Sequence, residues 1–176
     1  MLTQLRYLAA DMSRRDHKSP KSVFYDLFDG SMWAVIFYRL SRALFLVNVP
    51  ILKYLSRFSG FIVFKLSEIL FGVSLPPSVE IGPGLFIGHT GLLVFHHEVK
   101  AGMNLSVSHG VTIGVSGLGK KGAPEIGHNV YVGAGAKILG NIKVGDHCRV
   151  GANAVVVRDL PCGCTAVGVP AKVILP

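Results

Sequence analysis

Aliphatic residues recur through the second half of this chain with a period of six. Val, Ile or Leu stands at residues 81, 87, 93, 99, 105 and 111, and after nine extra residues the same phase resumes at 126, 132, 138, 144, 150 and 156. These three types make up 53 of the 176 residues, so twelve aliphatics at twelve set positions are not a chance arrangement. Six of them are followed directly by Gly (82, 88, 127, 133, 145 and 151), and small residues stand four places on at Ala136, Cys148 and Ala154. Neither a 3.6-residue helix nor a two-residue strand alternation produces this beat. A hexapeptide period predicts a parallel β-helix. Three hexads make one 18-residue coil of a triangular prism, with the aliphatic pointing inward and the Gly permitting a tight corner. The blocks 81–116 and 126–161 supply two coils each, and coils stacked about 4.8 Å apart give a prism roughly 19 Å tall. Its open ends must be covered, and residues 162–176 are expected to close the last coil.

Ahead of the prism the pattern changes. Leu2, Leu5 and Leu8 predict a short amphipathic helix, and a polar stretch follows from Ser13 to Ser22. From Ser31 to Leu70 the chain is apolar and aromatic, with Arg39, Arg42, Lys53, Arg57 and Lys65 interspersed and no Asp or Glu between residues 30 and 67. Pro50 and Gly60 are expected to divide this region into helices, and Pro76-Pro77 to end it. Its charge-free stretches are too short to span a bilayer. Two readings of it stay open. In one, the helices pack on the prism's end and on copies of themselves, with the basic residues on a solvated face. In the other, residues 30–67 also form a basic amphipathic surface against anionic lipid. The expected division is a helical segment over 1–75 and a β-helix over 76–176, with the interruption 117–125 (GLGKKGAPE) protruding as a loop, a common place for a binding residue.

Composition narrows the picture further. The length suits one core with an appendage. The net charge of +8 does not point to nucleic acid, because the repeat half has no basic stripe with interleaved aromatics. Three Cys are too few and too oddly spaced for a disulfide framework or a zinc site, and Cys148 reads as a small inward residue. No apolar stretch at the N-terminus ends in a cleavage site, so the expected location is cytoplasmic, with the inner face of the membrane as the site of any peripheral contact.

The repeat phase sorts most of the seven histidines. His89 is third in its hexad and faces outward beside a Gly-lined corner, Gly88-His89-Thr90-Gly91. His97 and His109 are fifth, a nominally inward position that suits buried hydrogen-bonding residues. His96, His128 and His147 fall outward with no evident partner, and His17 precedes the prism. No spacing converges several histidines on one point, so no metal is expected.

The runs IGPGLFIGHTG, SHGVTIG and IGHNVYVGAGAKILGNIKVGDHCRVGANAVVVRDLP, closed by AVGVPAKVI, resemble the serine-acetyltransferase-like branch of the hexapeptide-repeat acyltransferases, over about residues 74–174. Within that branch the chain looks most like the shorter enzymes of the colanic-acid type, which O-acetylate bacterial surface polysaccharides. The resemblance implies a left-handed β-helix, acetyl-CoA as donor and a homotrimer, with pairing of trimers through the N-terminal helices as an extension. His89 stands where the branch keeps its catalytic histidine, a base for a hydroxyl attacking the thioester. Backbone N–H groups would hold the oxyanion. Transfer would be direct, since no Cys or Ser adjoins His89 in a nucleophile arrangement. Gly114, Ala134 and Ala152 would line the intersubunit groove for the pantetheine arm, and Arg149 and Lys172 would meet the CoA phosphates, with Lys120 and Lys121 as secondary candidates.

The branch's orienting carboxylate is replaced by Ser74, the Asp before its histidine by Gly88, and the Arg-His pair ending its loop by Gly122-Ala123. With those charges gone, the expected acceptor is a saccharide hydroxyl. A short-form serine O-acetyltransferase and a non-catalytic β-helix scaffold are the alternatives.

Overall fold

The computed structural model describes residues 2–15, 24, 28–50, 52–117 and 122–175; His17, Lys120 and Lys121 lie outside them. Helices α1 (Leu2–Ser13), α2 (Gly30–Phe45) and α3 (Leu52–Phe71) precede the prism. The carboxylate of Asp29 caps α2 by accepting from the Ser31 N–H. Pro50 falls in the link between α2 and α3, as its fixed φ and missing N–H favour. Gly60, in contrast, does not divide anything. It is buried inside α3, where a Cβ would lie 2.9 Å from the Ser41 carbonyl oxygen, so its role is close helix approach. The helical region ends at Phe71, with Gly72 in the left-handed conformation (φ +64), and the first strand forms before Pro76-Pro77.

The prism has three faces. The first stacks β1 (Val73–Ser74), β4 (Leu93–Phe95), β7 (Thr112–Gly114), β10 (Lys137–Leu139) and β13 (Val155–Val156). The second stacks β2 (Glu80–Ile81), β5 (Lys100–Ala101), β8 (Glu125–Ile126) and β11 (Lys143–Val144). The third stacks β3 (Phe86–Ile87), β6 (Ser106–Val107), β9 (Tyr131–Val132), β12 (Arg149–Val150), β14 (Thr165–Val167) and β15 (Lys172–Ile174). All pairs are parallel except β14 with β15, where the chain turns back and closes the top. The four expected coils are therefore extended at both ends. Val73 and Leu75 add core below the first hexad, and Cys164 and Ala166 add it above the last, in residues too small to register as aliphatic hexads.

The coils are not of equal length. Val73 pairs with Leu93, twenty residues on, whereas Val94 pairs with Thr112 after eighteen and Ile113 with Ile138 after twenty-five. Inward residues step by six from Leu75 to Ile81 to Ile87, and then by eight to Phe95. The two additional residues sit in the corner 88–92 and shift the inward phase. This is why His97 and His109, nominally inward, are exposed. The glycines after the aliphatics also act differently from expectation. At Gly82 a Cβ would lie 2.9 Å from the Gly102 carbonyl carbon, and at Gly133 2.7 Å from the Ala152 nitrogen, so coil-to-coil spacing excludes a side chain there. The left-handed corner positions fall elsewhere, on residues such as Asn104, Asn129 and Asn153.

The helices cover the bottom edge of the prism, and they do so through arginine. Buried Arg39 donates from Nε to Asp11 Oδ2 (2.7 Å) and from its terminal nitrogens to the carbonyls of Ile81 (2.8 Å) and Gly82 (2.6 Å). Asp11 Oδ1 in turn accepts from the N–H groups of Gly84 (2.8 Å) and Leu85 (2.7 Å). Arg42 donates to the carbonyls of Pro77, Ser78 and Val79, and the Tyr38 hydroxyl to that of Val79. The basic residues of α2 thus do not form a solvated face. In α1 it is Gln4 and Asp11 that are buried, while Leu2 and Leu5 are exposed.

Cys148 is inward and buried, as expected, with its Sγ 3.6 Å from that of Cys164. Burial and that hydrogen bond push its thiol up to about 11. Replacing Arg39 by Met strands the buried Asp11 charge. Equilibrium unfolding in denaturant should show a loss of about 3–5 kcal/mol.

Candidate active site

Stacking of unequal coils assembles the site. Ile87 pairs with Val107, Val107 with Val132, and Val132 with Val150. Two residues beyond each pair, the corner between the third and first faces presents a column: His89, His109, Ala134 and Ala152. The two imidazoles are exposed and meet edge to face, with ring centroids 5.9 Å apart. His109 is the member that the hexad phase hid. Reading the eight-residue step across 88–92 would have exposed it.

The corner that carries His89 is held open by its own backbone. Gly91 (φ 109) and Leu92 (φ 48) both take positive φ, unusual for Leu. The Gly91 N–H donates to the Phe71 carbonyl and the Leu93 N–H to that of Gly72, so the corner rests on the end of α3. A Cβ on Gly30 would touch Phe71 and Thr90, which places the start of α2 beside it as well. Ser108 lies one coil above Gly88, with its Oγ 3.8 Å from where a Gly88 Cβ would sit. A serine is therefore near His89 in space, although none adjoins it in sequence. Among the described residues no hydrogen bond joins the two.

Ser74, which stands in place of the branch's orienting carboxylate, is itself bonded to one. The Ser74 hydroxyl donates to Glu68 Oε1 at 2.5 Å, and Lys65 donates to Oε2 at 2.6 Å. Burial raises the Glu68 pKa, but these hydrogen bonds together outweigh it and hold the carboxyl below its ordinary range. Glu68 sits one helical turn before the Phe71 carbonyl that receives Gly91.

The remaining candidates divide between two edges. Arg149 is exposed on the third face, three residues before Ala152, and Lys172 pairs with Val167, which packs against Gly151. These lie toward the top of the His89 corner. Gly114 is buried on the opposite edge of the first face, where its Cβ position would meet His96 at 3.2 Å. It lines a cleft of about 370 Å³ with Val94, His96, His97, Val115 and Leu139. A cleft of about 510 Å³ between α1 and the second face includes Gln4, Arg42 and Glu80 but not His89.

His96, His97 and Glu98 offer ligand atoms within 4.8 Å of one another, a convergence that sequence spacing did not indicate. His128 is a structural residue. Its Nδ1 accepts from the Met103 N–H at 3.0 Å.

The pattern described as Bacterial transferase hexapeptide (six repeats) matches residues 123–158. The serine acetyltransferase of Helicobacter pylori (strain J99) is 43% identical over 142 residues, covering 80% of this chain and 79% of that protein. That of Mycobacterium tuberculosis is 44% identical over 111 residues, covering 62% and 48%. The chain belongs to the serine acetyltransferase family. Among solved structures, Neisseria gonorrhoeae serine acetyltransferase in complex with serine superposes with a TM-score of 0.84 at 31% identity, covering 98% of this chain and 69% of that one. Brucella abortus serine acetyltransferase in complex with coenzyme A gives 0.81 at 30% identity, covering 98% and 66%.

The fold is the left-handed parallel β-helix with N-terminal helices that the resemblance implied. The expectation of a saccharide acceptor and of closeness to polysaccharide O-acetyltransferases is overturned, because the similar proteins are serine acetyltransferases. The lost charges at Gly88 and Gly122-Ala123 had pointed away from serine.

Two carboxylates pin the helices around this corner. Asp29, like Glu68, is held below its usual range. Burial opposes this, but the hydrogen bonds from Ser31 and Arg15 prevail. A depressed carboxylate contributes stability above its unfolded pKa and loses it as pH falls through the folded value. Denaturant midpoints should therefore decline as pH drops below about 4, and Glu68→Gln should flatten part of that decline.

Proposed function

We propose that this protein is a serine O-acetyltransferase that uses acetyl-CoA and works as a homotrimer. The observation that carries the reading is the corner column, in which two imidazoles stand directly below two small residues, in a chain 43% identical to a serine acetyltransferase over most of both lengths. The pantetheine arm runs along Ala152 and Ala134, where a larger side chain would fill the path. Arg149 and Lys172, near the top of the same corner, take the CoA phosphates. Gly114 lies on the other edge of the first face, so it reaches the same arm only across a subunit boundary. The trimer supplies that boundary.

His89 accepts the proton of the serine hydroxyl as its oxygen attacks the thioester carbonyl. The tetrahedral intermediate collapses, the C–S bond breaks, and the proton on His89 passes to the departing CoA thiolate. His109 lies one coil nearer the alanines than His89, and in this reading its N–H donates to the thioester oxygen. Glu68, held ionised at the end of α3, meets the ammonium of serine. The test is product formation from serine and acetyl-CoA, read by mass. His89→Ala should lower kcat about 100-fold or more with the KM for acetyl-CoA little changed. Glu68→Gln should raise the KM for serine about 10-fold or more without altering that for acetyl-CoA. Normal turnover by His89→Ala would remove the mechanism.

A further inference from the structure

The proposed chemistry leaves the carboxylate of serine without a partner. Where the branch ends its loop with an Arg-His pair, this chain has Gly122-Ala123, and neither side chain can donate to an anion. A donor does stand on the same edge of the prism, one coil below. His96 and His97 follow β4, where the chain leaves the first face, and both line the cleft that contains Gly114. The His96 side chain packs on that glycine, whose Cβ position lies 3.2 Å from the His96 Cβ. Its Nδ1 accepts from the Glu98 N–H at 3.4 Å and has Glu98 Oε2 at 3.9 Å. A ring nitrogen that accepts leaves the proton on the other, so Nε2–H is the remaining donor. Among the described residues no hydrogen bond engages it. His97 is turned to Glu98 instead, with Nε2 4.0 Å from Oε1, and its ring centroid lies 4.1 Å from that of His96.

Height along the prism decides what this donor can reach. Within one coil, His89 opens the first face and His96 closes it after β4. In the next coil, His109 and Gly114 hold the same two places, since β4 pairs with β7. Coils rise in steps of about 4.8 Å. A closed three-fold ring joins one edge of each subunit to a different edge of the next. Rotation about an axis along the prisms keeps every coil at its own height. The boundary that brings Gly114 to the pantetheine arm beside His109 therefore brings His96 to the level of His89. Serine carries its carboxylate only a few bonds from its hydroxyl, so the group that recognises it has to stand at that level.

We propose that His96 of the neighbouring subunit donates from Nε2 to the carboxylate of serine bound at His89, so that each site is completed across a trimer boundary. This deepens the serine acetyltransferase reading and rests on it. The measurement is CoA release by the full-length protein as serine and acetyl-CoA are varied. His96→Ala should raise the KM for serine about 10-fold or more, with kcat and the KM for acetyl-CoA little changed. His96→Gln, which keeps a donor, should recover part of the loss. Co-expression of His89→Ala chains with His96→Ala chains separates the boundary from the single chain. Each mixed trimer then holds one boundary with both residues intact, so at serine concentrations below the KM the mixture should outpace either parent. An unchanged serine KM in His96→Ala, or a mixture with only the average rate of its parents, would overturn the proposal and leave the acetyltransferase reading in place. No serine-dependent rate in the unsubstituted protein would overturn both. Should His96→Ala fail to assemble, His96→Phe, which keeps the ring without its donor, decides by the same two assays.

Discussion

Asp11 and Arg39 form a buried ion pair at the lower edge of the prism, where the coils cannot satisfy themselves. The lowest coil of a parallel solenoid leaves a row of carbonyls and N–H groups with no strand beneath them, and burying such groups unpaired is costly. Arg39 reaches the carbonyls of Ile81 and Gly82, and Asp11 reaches the N–H groups of Gly84 and Leu85. The pair therefore acts as an adaptor between helices and coil edge, each charge compensated by the other as well as by backbone. Arg42 and Tyr38 extend the same solution along residues 77–79. An apolar lid would have left those backbone groups without partners.

The site inherits its geometry from that docking. With α2 and α3 fixed beneath the first coil, the carbonyls of Phe71 and Gly72 hold the long corner 88–92, and this corner carries His89 outward. The regular coils above then place His109, Ala134 and Ala152 in line. Nothing in the column depends on a flexible loop, since each member is set by the pairing register of the strand before it. Glu68 lies on the same helix end, where it accepts from Ser74 of the first strand.

Much of this was legible in the sequence. The six-residue period carries the prism, because an inward aliphatic on each of the three sides of every coil is a direct consequence of stacking coils. His89 could be picked out because its corner precedes the phase shift. What stayed hidden shares one cause. A period counts residues along the chain, whereas His109, Gly60, Ser108 and the arginines take their roles from what lies one coil or one helix away. Arg39 reads as a solvated cation until the orphan carbonyls of Ile81 and Gly82 are seen. The acceptor was misjudged on lost charges alone: Ser74 reads as a missing carboxylate until its hydroxyl is seen to donate to Glu68.

The acceptor is the claim on which the functional account stands. Serine is a small zwitterion, and a site for it needs charge for both ends. Glu68 offers a carboxylate at the end of α3, bonded to Ser74 of the first strand, and proteins similar to this chain carry the name of that reaction. The most direct measurement is release of free CoA from acetyl-CoA with serine as the only acceptor. The account predicts a serine-dependent rate with a Michaelis constant in the millimolar range or below. A rate no higher than that without serine, from protein that binds acetyl-CoA, would contradict it.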